Sequence, residues 1–229
     1  IRKVGDEELF QKLASSNVEL FNGKGVKKII TTSPHCLYTF TQEYPELGGD
    51  FEVVPYSDLI EPFEIIEDEP DFKGNALIKA RAVYAALDDE DAIVFADDSG
   101  INVEVLDGAP GVLSARYGGP DASDKDNLYK LMDAVKEKGV ASSPAFYTAA
   151  IAIVSKEGEY TTHGWMYGDV VTEPRGEGGF GYDPCFVPKG YDKTLGELDE
   201  SVKSKLSHRS QALANAKPVL HVIKMMRER

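Results

Sequence analysis

Apolar and polar positions in the first quarter of the chain follow a pattern that predicts two helices and two strands. The helical spacing of apolar residues predicts a helix over residues 7–22. Apolar runs at residues 26–32 and 51–57 predict strands, and residues 36–44 between them predict a short helix. A strand, a helix and a second strand in this order are typical of a parallel α/β sheet.

The pattern after residue 75 predicts further helices and long strands. Residues 76–87 carry apolar side chains on one helical face, and Asp71 is a suitable N-cap for that helix. Residues 92–98 form an apolar run that predicts a strand ending in two acids, Asp97 and Asp98, before a turn at Ser99 and Gly100.

The last hundred residues predict an amphipathic helix, a hairpin and a helical end. Residues 124–138 have helical spacing, and residues 145–155 and 159–171 read as long strands joined at Glu157-Gly158. Residues 199–226 are mostly helical in pattern. The expected fold is therefore one mixed α/β domain, an elongated mixed sheet with flanking helices.

Composition bounds the class of protein. The 229 residues are 42% hydrophobic and 28% charged, which suits a globular domain with a full core. No apolar run reaches the roughly 18 residues of a membrane span, and the polar start "IRKVGDEELF" does not resemble a secretory signal. With only Cys36 and Cys185, a disulfide scaffold is not expected, and a reducing, cytoplasmic setting is.

The net charge of −14 argues against generic binding of DNA or RNA, which requires a basic surface. An acidic protein can still bind a small polyanion through a divalent metal ion and a few converging lysines. The expected partner is therefore a small phosphorylated molecule, with no nucleic acid and no membrane.

The segment "VFADDSG" is the first candidate for chemistry. Asp97 and Asp98 are expected at the carboxyl end of a strand, where open α/β sheets bind ligands. Carboxylates there suit Mg²⁺, and one of them can orient a water as general base. The alternative is that one acid caps the following turn.

Two further segments offer phosphate or base contacts. "EIIEDEPDFKGN" holds many acids before the helix that carries Lys79, although most of them fit a solvated surface equally well. "PRGEGGFGYDP" combines glycines with Phe180 and Tyr182, which can flank a planar base whose edge donates to Asp183. The alternative for the second segment is a plain glycine-rich hairpin loop.

The segment "KSKLSHRS" gathers Lys203, Lys205, His208 and Arg209 in an otherwise acidic protein. Such a cluster can neutralise a triphosphate or contact a purine edge. It can also be a solvated basic helix start with Ser207 as N-cap.

Five motifs resemble, in order, the signatures of the inosine/xanthosine triphosphate pyrophosphatases. They are "NALIKARA", "ADDSG", "GAPGVLSARYGG", "GGFGYDPCF" and "KSKLSHRSQAL", and the resemblance spans about residues 56–225. It implies a mixed α/β homodimer that hydrolyses deaminated purine nucleoside triphosphates (ITP, dITP and XTP) to the monophosphate and pyrophosphate, with Mg²⁺ as cofactor.

The resemblance also implies roles for individual residues. Glu67 and Asp98 match the metal-binding acids, with Asp97 beside them in the motif and Asp98 also the base. Lys79 and Lys203 match the lysines that contact phosphate, and Ser99 follows as a further substrate contact. The base pocket is matched by Phe180, Gly181, Tyr182, Asp183, His208 and Arg209.

The chain departs from this family in its first loop. The family reads Thr/Ser-x-Asn-x-x-Lys there; Thr32 and Ser33 match and are expected to contact substrate, but Pro34 and Leu37 replace the Asn and Lys. Two lost charge-assisted contacts predict catalytic efficiency lower by about 10²–10⁴-fold. Gly74 also stands where the family usually has Glu, and Pro144 falls near a usual Arg.

Residues 1–54 resemble instead the cysteine-rich domain of heterodisulfide-reductase-type iron–sulfur oxidoreductases. Ser33-Pro34-His35-Cys36 stands where that family has Cys-Pro-His-Cys, so no iron–sulfur cluster is expected. The resulting hypothesis is a chimera, with a foreign strand–helix–strand unit at 1–54 integrated into a pyrophosphatase body at 55–229. The alternative to a working enzyme is a catalytically inactive scaffold that retains the fold.

Overall fold

The structure is a computed structural model that describes residues 63–228 without interruption. Before residue 63 it describes residues 11, 14, 15, 18, 19, 22, 23, 28–31, 41, 44–50, 52–55 and 58–61. The loop of residues 32–40, with its expected substrate contacts Thr32 and Ser33, lies outside the described residues. The chain divides into two compact units, residues 1–64 and 65–229, and whether they form one domain stays a prediction.

The first unit contains the parallel pair that the sequence predicts. Strand β1 (Lys28–Thr31) pairs in parallel with strand β2 (Glu52–Pro55). The described positions between 11 and 23 are helical. Ala14, Val18 and Tyr44 form a small buried cluster, so this unit has apolar packing of its own.

The second unit contains a four-stranded antiparallel sheet with helices packed on it. The sheet has the order β3-β4-β5-β6. Its strands are β3 (Val94–Val103), β4 (Ser142–Ser155), β5 (Gly158–Val171) and β6 (Phe186–Pro188). The helices are α1 (Phe72–Leu87), α2 (Asp124–Glu137), α3 (Glu200–Leu206) and α4 (His208–Arg227). None of the helices within the described residues has the length and apolar character needed to cross a bilayer.

Local sequence signals place the ends of these elements correctly. Asp71 caps α1 by accepting a hydrogen bond from the Gly74 N–H at 2.7 Å. Ser207 caps α4 in the same way, accepting from the Ser210 N–H. The predicted hairpin is confirmed, but β5 begins at Gly158, which leaves Lys156 and Glu157 as the two turn residues.

The predicted turn at Ser99 and Gly100 is wrong, because β3 continues through both residues to Val103. Gly100 serves close packing instead of a turn: a Cβ there would collide with the Ser114 hydroxyl and come within 2.5 Å of the Gly111 carbonyl oxygen. Asp97 and Asp98 therefore lie in the middle of an antiparallel strand, not at the carboxyl end of a parallel one.

Each face of the antiparallel sheet is covered by different helices. Helix α1 packs on the face that presents Val94, Ala150 and Ala152. Helices α2 and α4 pack on the opposite face, which presents Ile101 and Ile151 among others. The α/β class with flanking helices is confirmed, although among the described residues the parallel pair and the antiparallel strands form two sheets and not one mixed sheet.

Candidate active site

Lys79 lies between two carboxylates that are distant in the chain. Its Nζ donates to Glu67 Oε2 at 3.0 Å and to Asp98 Oδ1 at 3.1 Å. All three side chains are partly buried, with Asp98 only 15% exposed. The structure thus brings together the three residues that were expected to carry catalysis.

The start of α1 explains how Glu67 reaches this position. The Glu69 N–H donates to the side-chain oxygen of Asn75 at 3.1 Å, which fastens the segment before α1 to the helix. Asn75 is almost fully buried. Lys79 lies one helical turn further along the same face, so Glu67 and Lys79 meet beside β3.

Asp98 is held in an environment that disfavours its charge. Burial raises the pKa of its carboxyl above the ordinary value of 3.8, and Glu67 raises it further, whereas Lys79 and Asn75 act in the opposite direction. Its Oδ2 is buried and has no hydrogen-bond partner among the described residues. An acceptor oxygen in this state is available to a cation or to a water molecule.

The pair of Glu67 and Asp98 fits a divalent cation by its chemistry. Carboxylate oxygens are the ligands that Mg²⁺ prefers, and the buried Oδ2 of Asp98 lacks a partner in the described part of the chain. A third acidic ligand is not in place: within the described ranges, no three His, Cys, Asp or Glu residues are grouped so that they could hold a metal.

Asp97 lies apart from the Glu67–Asp98 pair, contrary to the expected metal set. Its Oδ2 accepts a hydrogen bond from Arg209 Nε at 3.1 Å, and both side chains are about half exposed. Neighbouring residues of a strand point to opposite faces, so Asp97 faces α4 while Asp98 faces α1. Ser99, also expected to contact substrate, lies on the Asp97 face opposite Ala149.

The glycine-rich loop before β6 is organised around Asp183. The buried Asp183 carboxylate accepts from the Phe180 N–H at 3.3 Å and lies 3.7 Å from Lys203 Nζ. Burial raises its pKa, which the Phe180 N–H and the Lys203 ammonium partly offset. Gly179 has a φ of +83°, and a Cβ there would collide with this carboxylate.

Lys203 is drawn into this loop as well. It is 11% exposed, and its Nζ lies 2.9 Å from Glu200 Oε2 on the same helix. The Lys203 ammonium is therefore positioned by two carboxylates, Glu200 and Asp183.

Gly181 in the same loop has a φ of +57°, which suits the left-handed conformation that glycine adopts readily.

Phe180 and Tyr182 do not form the pair of rings that the sequence suggested. The Phe180 ring is 70% exposed, whereas Tyr182 is 6% exposed and belongs to the core under β3 and β4. The Tyr182 hydroxyl donates to the Ser114 carbonyl oxygen at 2.7 Å, and burial raises its pKa. Of these two residues, Phe180 is the one whose ring is exposed enough for a planar base to stack on.

His208 is buried at the first position of α4. Its imidazole stacks on Tyr147 of β4, with ring centroids 4.8 Å apart and planes 13° apart. Burial lowers the pKa of His208 from 6.5 to about 4, with a smaller contribution from Arg209. Its Nδ1 is buried without a hydrogen-bond partner in the described residues, so the neutral ring keeps one polar atom available.

The sequence gives no functional signal for Tyr147, because it stands in an apolar run that predicts only a buried strand.

Gly164 on β5 explains how His208 comes close to the sheet: a Cβ there would collide with the His208 carbonyl oxygen and lie 2.7 Å from the Ala212 nitrogen. The hydrogen bond from the Glu69 N–H to Asn75 has no sequence signal beyond the place of Asn75 in the motif.

A cleft of about 700 Å³ in the second unit holds none of the expected site residues. It is lined by Val103, Pro144, Phe146, Tyr167 and Lys189 among others. Pro144, one of the departures from the family pattern, therefore lines a surface at the far end of β3 and β4 from Asp98.

Comparison with known proteins identifies relatives over most of the chain. The model of the Ham1 family matches residues 29–219. A dITP/XTP pyrophosphatase of Sulfurimonas denitrificans is 61% identical over 186 residues, which cover 80% of this chain and 94% of the relative. A dITP/XTP pyrophosphatase of Sulfurovum sp. is 58% identical over 187 residues, which cover 80% of this chain and 89% of the relative.

Solved structures agree with this result. The Ham1 protein of Staphylococcus aureus superposes with a TM-score of 0.73 at 31% identity, over 85% of this chain and 98% of that one. A nucleoside-triphosphatase, dITP/XTP pyrophosphatase, of Mycobacterium abscessus superposes with a TM-score of 0.67 at 35% identity. The superposition covers 84% of this chain and 100% of that one. The fold is therefore the α/β fold of Ham1 structures, with an antiparallel sheet and flanking helices.

The family match corrects the interpretation of the first 54 residues. It begins at residue 29 and so includes β2 and all of β1 except Lys28, although residues up to 54 are predicted above to be a foreign segment. The comparisons give no support to a likeness of residues 1–54 to heterodisulfide reductases or to a chimeric origin. With a match over residues 29–219 and relatives at about 60% identity, this chain belongs to the Ham1 family.

Proposed function

We propose that this chain hydrolyses ITP, dITP and XTP to the nucleoside monophosphate and pyrophosphate. The curated relatives from Sulfurimonas denitrificans and Sulfurovum sp. are named dITP/XTP pyrophosphatases, and their names do not favour an inactive scaffold. The observation that carries the proposal is the contact of Lys79 with both Glu67 and Asp98, next to a buried carboxylate oxygen without a partner in the described residues.

Glu67 and Asp98 are the residues that would hold Mg²⁺ in this proposal, whereas Asp97 is left out because its carboxylate leaves the opposite face of β3. The ion, when bound, offsets the negative charge of the triphosphate. Asp98 orients the attacking water and accepts its proton. Lys79, released from the two carboxylates, neutralises phosphate charge, and Lys203 does the same from the side of the glycine-rich loop.

The same proposal assigns base recognition to the residues around α4. The exposed Phe180 ring stacks on the purine. Arg209 donates to the oxo group that distinguishes hypoxanthine and xanthine from adenine, and the neutral His208 contacts the base beside it. Gly181, Tyr182 and Asp183 shape the loop that carries Phe180, with Asp183 bonded to the Phe180 N–H.

Three further expectations belong to this proposal. Thr32 and Ser33 contact the phosphates, while Pro34 and Leu37 weaken that contact. The protein acts in the cytoplasm. It acts as a homodimer, which is supported by exposed aromatic side chains on neighbouring strands of one sheet face, namely Phe146, Trp165 and Tyr167.

Pyrophosphate release from ITP, XTP and ATP with Mg²⁺ tests the proposal. We expect release from ITP and XTP to exceed release from ATP, and Asp98→Asn to abolish it. Asp133→Asn, which changes an exposed carboxylate on α2, serves as control and should leave the activity intact. A folded wild-type protein that releases no pyrophosphate from any of the three would refute the proposed activity.

A further inference from the structure

Asp97 has no part in the Glu67–Lys79–Asp98 group, yet it contacts a residue of the proposed base pocket. Residue 97 is paired with Ile151 in the sheet and residue 98 with Ala150, so the two carboxylates leave opposite faces of β3. Asp97 therefore needs an explanation other than metal binding, and the only described partner of its carboxylate is Arg209.

The contact uses one edge of the Arg209 guanidinium. Asp97 Oδ2 lies 3.1 Å from Nε, and in the described part of the chain Arg209 makes no other hydrogen bond. The four N–H groups on the two Nη atoms are therefore available to a ligand. A carboxylate that binds Nε restricts the rotation of a long side chain that is 44% exposed.

The backbone beneath Arg209 is already fixed by packing. His208, the preceding residue, is stacked on Tyr147, and Ser207 caps the helix. The glycine at position 164 lets this first turn of α4 lie directly on β5. Asp97 therefore restrains the one part of Arg209 that the helix leaves free, namely the position of its guanidinium.

A second observation indicates that a polar ligand belongs here. Only 8% of the His208 surface is exposed, so the residue is more than nine-tenths buried. Its Nδ1 has no hydrogen-bond partner in the described residues. A buried polar atom without a partner is costly unless a ligand or a water completes it. The unpartnered imidazole nitrogen and the available guanidinium N–H groups belong to neighbouring residues of one helical turn.

We propose that Asp97 is a positioning residue that holds Arg209 so that its Nη groups donate to the oxo group of a deaminated purine. This inference rests on the proposed function and adds the residue that secures its selectivity. Adenine carries an amino group in place of the oxo group, so its N–H donors would face the N–H donors of Arg209. A guanidinium that is held in place cannot turn away to avoid this repulsion. Without Asp97 the guanidinium is free to turn, and the discrimination decreases.

The test compares kcat and KM for ITP and ATP in the wild type, Asp97→Asn, Asp97→Glu and Arg209→Ala. We expect Asp97→Asn to lower the preference for ITP over ATP about tenfold, through KM and not kcat. Asp97→Glu should recover part of the preference. A double variant that combines Asp97→Asn with Arg209→Ala should show no weaker preference for ITP than Arg209→Ala alone, because the two residues act as a unit.

The matched control is Glu159→Gln, which breaks another exposed carboxylate–arginine pair, with Arg81, on the other side of the sheet. It should leave the preference unchanged. An unchanged ITP-to-ATP preference in Asp97→Asn would overturn the inference, since Asp97 would then be a surface ion pair only. An increased Mg²⁺ requirement in Asp97→Asn would also overturn it, because that result indicates a metal ligand.

Binding of inosine and adenosine monophosphates, measured by titration calorimetry, separates this inference from the proposed activity. A wild type that hydrolyses nothing would refute the activity, but a preference for inosine monophosphate that is lost in Asp97→Asn would still support the role of Asp97. Equal preference in wild type and Asp97→Asn would overturn that role even if hydrolysis is observed.

Discussion

Asp97 and Asp98 are adjacent in the chain, but their carboxylates contact different basic side chains on opposite faces of β3. Asp97 Oδ2 lies 3.1 Å from Arg209 Nε, and Asp98 Oδ1 lies 3.1 Å from Lys79 Nζ. Because neighbouring side chains of a strand point to opposite faces, Arg209 of the proposed base pocket and Lys79 of the proposed phosphate site lie on opposite sides of β3. Each acid can be changed without removing the other's partner, which makes the two roles separable by mutation.

Replacing Lys79 by Met should strengthen the binding of a divalent cation while lowering hydrolysis. The ammonium occupies oxygens of both Glu67 and Asp98, so it competes with any cation for them. We expect the dissociation constant for Mn²⁺, measured by calorimetry without nucleotide, to decrease about tenfold, or about 1.4 kcal/mol. Lys73→Met, at an exposed position of the same helix, is the control. Weaker cation binding in Lys79→Met would contradict this competition.

Asp98→Asn should stabilise the fold at neutral pH although it removes activity. Burial raises the pKa of the Asp98 carboxyl in the folded state, so the unfolded chain loses this proton first as the pH rises. Ionisation of Asp98 therefore costs stability progressively as the pH rises from the unfolded pKa of about 3.8 to the higher folded pKa, and the cost is complete above the folded pKa. We expect a higher Tm for Asp98→Asn at pH 7 and a difference that disappears in acid. Calorimetry at a series of pH values measures it, and a lower Tm at pH 7 would contradict this account.

His208 should make the protein sensitive to mild acid. Its pKa is lowered from 6.5 to about 4 in the folded state, so its contribution to stability is complete above pH 6.5 and is lost as the pH falls towards 4. The loss amounts to roughly 3 kcal/mol. Urea unfolding at several pH values should show a smaller decrease for His208→Gln than for the wild type. Parallel decreases in the two proteins would exclude His208 as the cause.

Gly164→Ala should destabilise the second unit and disturb the base pocket together. The new methyl group collides with the His208 carbonyl oxygen and lies 2.7 Å from the Ala212 nitrogen, and backbone atoms cannot turn aside. We expect a loss of about 1–3 kcal/mol in unfolding free energy and a higher KM for ITP. Gly190→Ala, where no atom lies within 4 Å but φ is +87°, measures the cost of backbone conformation alone. Since Gly164 has no positive φ to strain, a Gly164→Ala protein as stable as the wild type would mean that the collision is relieved without cost.

Local pattern was enough to predict most elements of the second unit. The helical spacing of residues 76–87 and 124–138 predicted α1 and α2 because one face of each helix must be apolar to pack. Asp71 was identified as a cap because its short side chain reaches the free N–H groups of the first turn. Motif resemblance groups Glu67, Lys79 and Asp98, and the structure shows Lys79 in contact with both acids.

The same reasoning failed at β3 because Ser99-Gly100 has the composition of a turn. The glycine is needed for a neighbour that lies 14 residues away in the chain, Ser114, and no local pattern contains that contact. Tyr182 was assigned to the base pocket for a similar reason: its ring was read from the loop composition, whereas its hydroxyl bonds Ser114, 68 residues away.

By itself, then, the sequence determined the periodicity of the elements, their caps and the set of residues that carries the resemblance. Only the tertiary structure decided which residues meet. The contact of Asp97 with Arg209 joins positions 112 residues apart, and the stacking of His208 on Tyr147 joins two different elements. Periodicity acts over a few residues of one element, whereas partners across a sheet are selected by the packing of elements that are distant in the chain.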